Sequence, residues 1–250
     1  KKVIYDFRQE DIQNNGQGAP LTPIYHYILS KKINQNFNVK FPIGFLNIGG
    51  IANVTKVINV SDNFQNNLSA FDIGPGNCLI DEWVRNNFNK KFDKNGEIAK
   101  SGRVDQLILN QAIDNFKINS YSQSLDIKNF DVSFVRGLSL EDGCATITDF
   151  TAYLITEGLK NISQKNSVVY LVCGGGRKNI YLIDRIKNYL SDKNNITLNN
   201  IDNYNLKGDY IESQAFAFLA IRSFLNLPIS FNTTTGCKEF TVGGKLVENF

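Results

Sequence analysis

The stretch SAFDIGPGNCLIDEW, residues 69–83, places a strand pattern and a helix pattern on either side of a break. Short apolar residues lead to Asp72, then Gly74-Pro75-Gly76 interrupts the chain, and Asn77 opens a run with helical spacing. This predicts a buried strand that ends at Asp72, a turn, and a helix. A carboxylate in that place can act as a general base, or it can cap its own loop by accepting backbone N–H bonds. On spacing alone, the capping role is favoured.

Two further glycine turns follow apolar strand patterns. Residues 43–60, IGFLNIGGIANVTKVINV, predict two strands joined at Gly49-Gly50, and residues 167–190 predict a strand, the turn Gly174–Gly176 and a helix. Glycines at a strand end let backbone N–H groups approach an anion, and a following helix adds its dipole. The three turns fit nucleotide or phosphate binding and plain chain reversal about equally. None of them matches the GxGxxG dinucleotide fingerprint.

The remaining pattern alternates strands and helices. A short strand is predicted to end at Asp6, a polar loop to follow it, and a helix to begin near residues 23–30, with 31–38 as a solvated connector. Helices are predicted over 104–116, 139–162 and 211–225, residues 191–210 are polar, and the tail suggests a loop and a short strand. This alternation predicts an α/β protein, and the hairpin at Gly49-Gly50 makes the sheet mixed.

The amino-acid composition argues against several classes of binding partner. The 250 residues carry a net charge of only +3 with 42% hydrophobic residues, which predicts a globular protein without a nucleic-acid face, and no apolar run suits a membrane helix. The four separated cysteines do not suggest a disulfide framework, so a cytoplasmic setting is expected. His26 is the single histidine, and no metal site is predicted. Because the chain starts at Lys1 and contains no methionine, we expect a fragment or a processed chain.

Six motifs together resemble the anhydro-N-acetylmuramic acid kinase family, in the family's order, from Asp6 to about Leu225. They are DFRQEDIQNNGQGAPLTPIYH, LNIGGIANVT, FDIGPGNCLIDEW, FDKNGEIAKSG, VCGGGRKNIYLI and ESQAFAFLAIR. The resemblance implies an actin/hexokinase-type (ribonuclease H-like) fold with ATP and Mg²⁺ in a cleft. It also implies that the enzyme opens the 1,6-anhydro ring of anhydro-N-acetylmuramic acid (anhydro-MurNAc) with water and phosphorylates O6. The product would be MurNAc-6-phosphate, formed during peptidoglycan recycling.

The same resemblance implies a role for each motif residue. Asp72 would be the general base that activates the water. The residues implied on the sugar side are Glu212, Asp6, Arg8 and Gln17. The residues implied on the ATP side are Asn47, Gly49 and Gly50 in the hairpin, Gly74, Gly76 and Asn77 beneath the base, and Gly174, Gly175 and Gly176 near the adenosine. From the residues alone, Glu212 could equally complement the dipole of its helix.

The chain departs from the family pattern at three places. Asn15 replaces a usual glycine, Cys78 replaces a larger apolar residue, and the family's first phosphate loop, GxMSGTSxDG, is absent along with its GSHGQT segment. Residues 1–40 are therefore expected to be the end of an N-terminal domain with a connector, and 41–250 the second actin-like domain. We expect little kinase activity from this chain alone, and possible self-association. A non-catalytic module that binds sugar or nucleotide is the alternative.

Overall fold

A computed structural model describes residues 2–61, 64–116, 125–164 and 166–248. It contains seven strands: β1 Val3–Tyr5, β2 Ile43–Ile48, β3 Ile51–Val57, β4 Leu68–Pro75, β5 Val168–Cys173, β6 Ile196–Asn200 and β7 Lys245–Val247. The α-helices are α1 Gln9–Gln13, α2 Pro23–Phe37, α3 Cys78–Asn87, α4 Glu97–Ser101, α5 Gln106–Asn115, α6 Leu140–Ser163, α7 Ile180–Tyr189 and α8 Ile211–Phe224. None of the helices described here is both long and apolar enough to cross a bilayer.

The central sheet has five strands in the order β4-β3-β2-β5-β6. Strands β5 and β6 are parallel, with Val168 opposite Ile196. Strands β2 and β3 are neighbours joined by two residues, and so short a connection requires an antiparallel pair. The predicted α/β class with a mixed sheet is confirmed.

The chain forms two compact units. Unit 1 comprises residues 1–45, 54–71 and 201–250, and unit 2 comprises residues 46–53 and 72–200. Because the predicted boundary near residue 40 concerns the organisation of a longer protein, it stays a prediction.

Unit 1 contains a two-stranded antiparallel sheet and a core of large apolar side chains. Strand β1 pairs with β7, with Ile4 opposite Leu246. One core cluster consists of Leu21, Ile24, Leu219, Ile229 and Phe231. His26 lies in the same unit, where it stacks on Phe45 at 4.6 Å between ring centroids and shares a 2.8 Å hydrogen bond with Thr55 Oγ1. Burial lowers the pKa of His26 to about 3, so this histidine is a neutral core residue.

Unit 2 is built around α6, which packs against α3, α4, α5 and α7. Ser139 caps the start of α6 by accepting a hydrogen bond from Asp142 N. Trp83, the only tryptophan in the sequence, lies on α3 and donates from Nε1 to Leu140 O at 2.9 Å. A side chain on Gly143 would overlap the Trp83 ring, so the glycine allows α3 to approach α6 closely.

Two elements were not predicted, and one predicted boundary is wrong. The short helix α1 lies within the predicted loop, and α2 continues through the predicted connector to Phe37 because Ile33 is buried on its inner face. Asn38 then ends α2 in the left-handed conformation. The polar segment after residue 190 contains β6, an edge strand, whose position requires few apolar residues.

Candidate functional site

The Gly49-Gly50 turn between β2 and β3 is held by the start of α3. The backbone N–H groups of Gly76 and Cys78 donate to Gly50 O at 2.8 and 3.2 Å, and Asn77 N donates to Gly49 O at 2.7 Å. The Asn77 side chain adds a bond from Nδ2 to Gly49 O at 3.1 Å. These N–H groups, which the sequence suggested for phosphate, are therefore occupied by the hairpin.

Close approach explains why Gly76 is a glycine. A Cβ atom at this position would lie 2.2 Å from Gly49 O, far inside a normal contact distance. Asn77 occupies the N-cap position of α3, yet its side chain accepts no cap hydrogen bond and its amide instead donates to the hairpin. The GPGN segment, residues 74–77, is thus bonded to the Gly49-Gly50 turn through the backbone carbonyl groups of that turn.

The turn Gly174–Gly176 packs against β2 in the same unit. A Cβ at Gly174 would lie 2.4 Å from Asn47 Oδ1, and one at Gly176 would lie 2.2 Å from Ile48 Cγ2. Gly174 also has a positive φ of 77°, which favours glycine. Gly175 differs, because a Cβ there would meet no atom within 4 Å. Gly175 is therefore the one glycine of this turn that faces open space, while Gly174 and Gly176 are packed against β2.

A cavity of about 490 Å³ lies beside this turn and α3. Its lining residues are Asn77, Ile80, Asp81, Phe92, Asp93, Lys94, Asn95, Gly175, Lys178 and Asn179. Asp81 has its pKa raised to about 6, mainly by burial and also by Asp93, while Arg85 acts in the opposite direction. The aromatic ring of Phe92 and the two lysines, Lys94 and Lys178, suit a ligand that consists of a flat ring with an attached anionic group.

Asp72 lies inside β4 and not at its end, since the strand continues to Pro75. The prediction that the strand stops at this acid is therefore wrong: the strand continues through Gly74, which has a φ of 157°, to Pro75. Neighbouring Ile73 is buried against Gly158 of α6, so strand alternation directs Asp72 to the opposite face of the sheet.

The Asp72 carboxylate is half-buried and has one fixed oxygen. Oδ2 accepts a hydrogen bond from Leu125 N at 2.8 Å. Burial raises the pKa of Asp72, and the Leu125 hydrogen bond partly offsets that rise. Among the described residues, Oδ1 has no hydrogen-bond partner. The sequence contained no signal for Leu125, which is 53 positions away.

The residues predicted on the sugar side all lie in unit 1. Asp6 accepts a hydrogen bond from Lys245 Nζ at 2.8 Å. Arg8 and Glu212 are exposed, at the N-cap of α1 and in the first turn of α8. Gln17 is exposed, and its backbone N–H donates to Thr235 O at 2.8 Å.

The loop that carries Gln17 is organised by Asp11, a residue that the sequence did not single out. Asp11 is buried and accepts hydrogen bonds from Gly18 N at 2.7 Å and from Thr235 Oγ1 at 2.6 Å. A carboxylate surrounded by polar residues in sequence gave no indication that it would be buried. Asp11 therefore holds the GQG segment in place from inside unit 1.

The family model for anhydro-N-acetylmuramic acid kinase matches residues 1–249. The chain belongs to this family. The anhydro-N-acetylmuramic acid kinase of Pelagibacter ubique is 51% identical over 255 residues, covering 100% of this chain and 66% of that protein. The enzymes of that name from Zymomonas mobilis and Brucella canis are 36% and 37% identical, covering 98% and 97% of this chain and 63% of their own lengths.

The chain thus spans slightly less than two thirds of the length of these anhydro-N-acetylmuramic acid kinases. Among solved structures, the activator of 2-hydroxyisocaproyl-CoA dehydratase from Clostridium difficile with bound ADPNP is 14% identical, with a TM-score of 0.42. That similarity covers 79% of this chain and 66% of the activator, and it is too low to carry an argument.

Proposed function

We propose that this chain supplies the catalytic base and part of the nucleotide site of an ATP-dependent sugar kinase. The substrate would be 1,6-anhydro-N-acetylmuramic acid and the product MurNAc-6-phosphate. The proposal is carried by Asp72, a half-buried carboxylate held through one oxygen, in a chain that belongs to this kinase family. Because it uses ATP and an internal cell-wall sugar, we place the reaction in the cytoplasm.

In the proposed reaction, Asp72 Oδ1 accepts a proton from a water molecule. The oxygen of that water bonds to the anomeric carbon of the sugar, and the bond from that carbon to O6 breaks. The freed O6 attacks the γ-phosphorus of ATP, ADP leaves, and the proton on Asp72 returns to solvent. The carboxylate of Asp72 has to be correctly placed and ionised to take the proton from water. The later phosphoryl transfer depends mainly on the orientation of the reacting groups.

We assign the ATP contacts in unit 2 to two groups of residues. Gly175 borders open space, and a Cβ at Gly49 or Gly50 would make only ordinary van der Waals contacts, so the backbones of these three residues would approach phosphate oxygens directly. Asn47, Gly74, Gly76, Asn77, Gly174 and Gly176 would act indirectly, by holding those turns in position. The cavity beside Gly175 and Phe92 would take the nucleoside of ATP.

In unit 1, we assign Glu212, Asp6, Arg8 and Gln17 to sugar binding. Their charged and amide groups can form hydrogen bonds with the hydroxyl and carboxylate groups of the sugar. The family also implies Mg²⁺. Within the described ranges, no group of three or more His, Cys, Asp or Glu side chains could hold a metal ion. These residues therefore do not form a protein cage for the ion, and no step above depends on one.

The first prediction concerns Asp72→Asn in the intact protein. The amide cannot accept the water proton, so formation of phosphorylated sugar should fall by about 10²- to 10⁴-fold. Sugar affinity should stay within a few-fold, because size and shape are kept. Product formation can be followed by ³¹P NMR and affinity by calorimetry.

Asp114→Asn is the matched control, since Asp114 is exposed on α5. Asp72→Asn with the turnover of the control would contradict the role of base. If an unsubstituted protein that also carries the family's first phosphate loop binds sugar and nucleotide but forms no product, the non-catalytic binding module becomes the better description.

A further inference from the structure

The backbone N–H that holds Asp72 belongs to an anchored segment. Leu125 precedes a short 3-10 turn, residues Ile127–Asn129, which Phe130 N closes by donating to Ile127 O at 3.0 Å. Phe130 is buried and stacks on Phe116 at 5.3 Å between ring centroids. Asp126 adds a further bond, accepting from Lys128 N at 3.0 Å. The Leu125 N–H is therefore held from its C-terminal side.

The same segment lies against the hairpin turn of unit 2. A Cβ at Gly50 would lie 3.8 Å from Ile127 Cδ1, which is ordinary van der Waals contact. Leu125 and Ile127 are two residues apart, so one short piece of chain reaches both the carboxylate and the glycine turn. The segment therefore links the proposed base, Asp72, to the proposed phosphate turn at Gly49-Gly50.

In the part of the chain that the structure describes, one N–H bonds to one oxygen of Asp72, and this has two consequences for a general base. It fixes the plane of the carboxylate, so the second oxygen of Asp72 points in one direction. It also favours the ionised form, which is the form that accepts a proton. Burial acts in the opposite sense and raises the pKa of Asp72, and the Leu125 hydrogen bond partly offsets that rise.

We propose that the backbone N–H of Leu125 is a positioning group that orients Asp72 Oδ2 and leaves Oδ1 to face the attacking water. This inference rests on the proposed function for its kinetic consequence, but the hydrogen bond itself can be tested without turnover. The Leu125 side chain has no part in it, which gives the experiment a matched control at the same position.

The kinetic test compares Leu125→Pro, which removes the N–H, with Leu125→Ala, which keeps it, in the intact protein. Leu125→Pro should lower kcat by about tenfold, the size expected for losing one hydrogen bond to a charged group. KM for the sugar should be unchanged, and the acidic limb of the kcat–pH profile should move to higher pH. Leu125→Ala should match the unsubstituted protein in all three respects. Equal effects of the two variants would overturn the proposal.

A second variant covers the case in which proline disrupts the segment. Replacing the Leu125 amide by an ester removes the N–H while keeping the side chain and the backbone shape. Carbon-13 NMR of the Asp72 carboxyl should then show a higher pKa in the ester protein than in the unsubstituted protein. An unchanged titration in the ester protein would overturn the positioning role. A raised pKa in the ester protein, together with no kinase activity in an unsubstituted protein that also carries the family's first phosphate loop, would support the Leu125 contact and reject the proposed function.

Discussion

Three consecutive glycines show how far the surroundings of one residue type can differ. Gly174 and Gly176 are in close contact with β2, whereas Gly175 borders open space at the edge of the cavity. A sequence pattern marks all three in the same way. Their roles separate only when each missing side chain is compared with the atoms that it would meet.

The second prediction therefore compares Gly176→Ala with Gly175→Ala. The new methyl at 176 would overlap Ile48 and should lower the free energy of unfolding by about 1–3 kcal/mol, the usual cost of overpacking. The methyl at 175 has space and should leave stability unchanged within about 0.5 kcal/mol. Urea unfolding measures both. A Gly175→Ala protein as unstable as Gly176→Ala would show that the turn is packed on all sides.

The third prediction concerns pH and Asp81. Its pKa is raised in the folded state to about 6, so folding favours the protonated acid. The stabilising contribution is complete below the ordinary pKa of an aspartate and is lost as pH rises through about 6. In Asp81→Asn this loss disappears, so the free energy of unfolding should fall less between pH 4 and pH 7 than in the unsubstituted protein. Parallel curves for the two proteins would mean that Asp81 titrates normally.

Elements in unit 2 are joined by polar contacts as well as apolar ones. Asp149 of α6 is buried and pairs with Arg185 of α7, which donates from both Nε and Nη2. Tyr189, also on α7, donates from its hydroxyl to Asp149 Oδ2 at 2.9 Å. Because α7 begins just after the Gly174–Gly176 turn, this contact also fixes the helix that follows the proposed nucleotide turn.

The fourth prediction compares Asp149→Ala with Glu157→Ala on the same helix. Removing the buried Asp149 leaves Arg185 and Tyr189 without their acceptor and should cost about 3 kcal/mol of unfolding free energy. Glu157 pairs with Lys160 at 3.1 Å near the surface, and its loss should cost at most about 1 kcal/mol. Chemical denaturation measures both values. Equal costs would show that α6 and α7 are held by apolar packing alone.

At the scale of the whole molecule, the sequence predicted elements that carry their own periodic pattern. Helices α5, α6 and α8, the β2–β3 hairpin and the β5–turn–α7 unit agree closely with the predictions. The predictions missed strand segments that form because a neighbouring strand is available for pairing. Strand β6 exists because β5 offers an edge, and β4 continues past Asp72 although its sequence contains glycine and proline.

The candidate site was predictable only in part, for the same reason. Asp72 and the glycine turns stand out locally, but nothing in the sequence shows that the N–H groups of Gly76 and Asn77 are used by the hairpin. Leu125 and Asp11 act through contacts with distant residues, which no spacing rule describes. Local signals therefore identify candidate residues, while their division into ligand-facing and supporting groups requires the tertiary structure.

The position of Trp83 has a consequence for every spectroscopic study of this chain. It is the only tryptophan, it is buried in unit 2, and it bonds to the start of α6. Intrinsic tryptophan emission will therefore report the separation of α3 from α6 and little of unit 1. A fluorescence melting curve would follow one unit only, so the other needs its own probe before a single transition is taken to describe the whole chain.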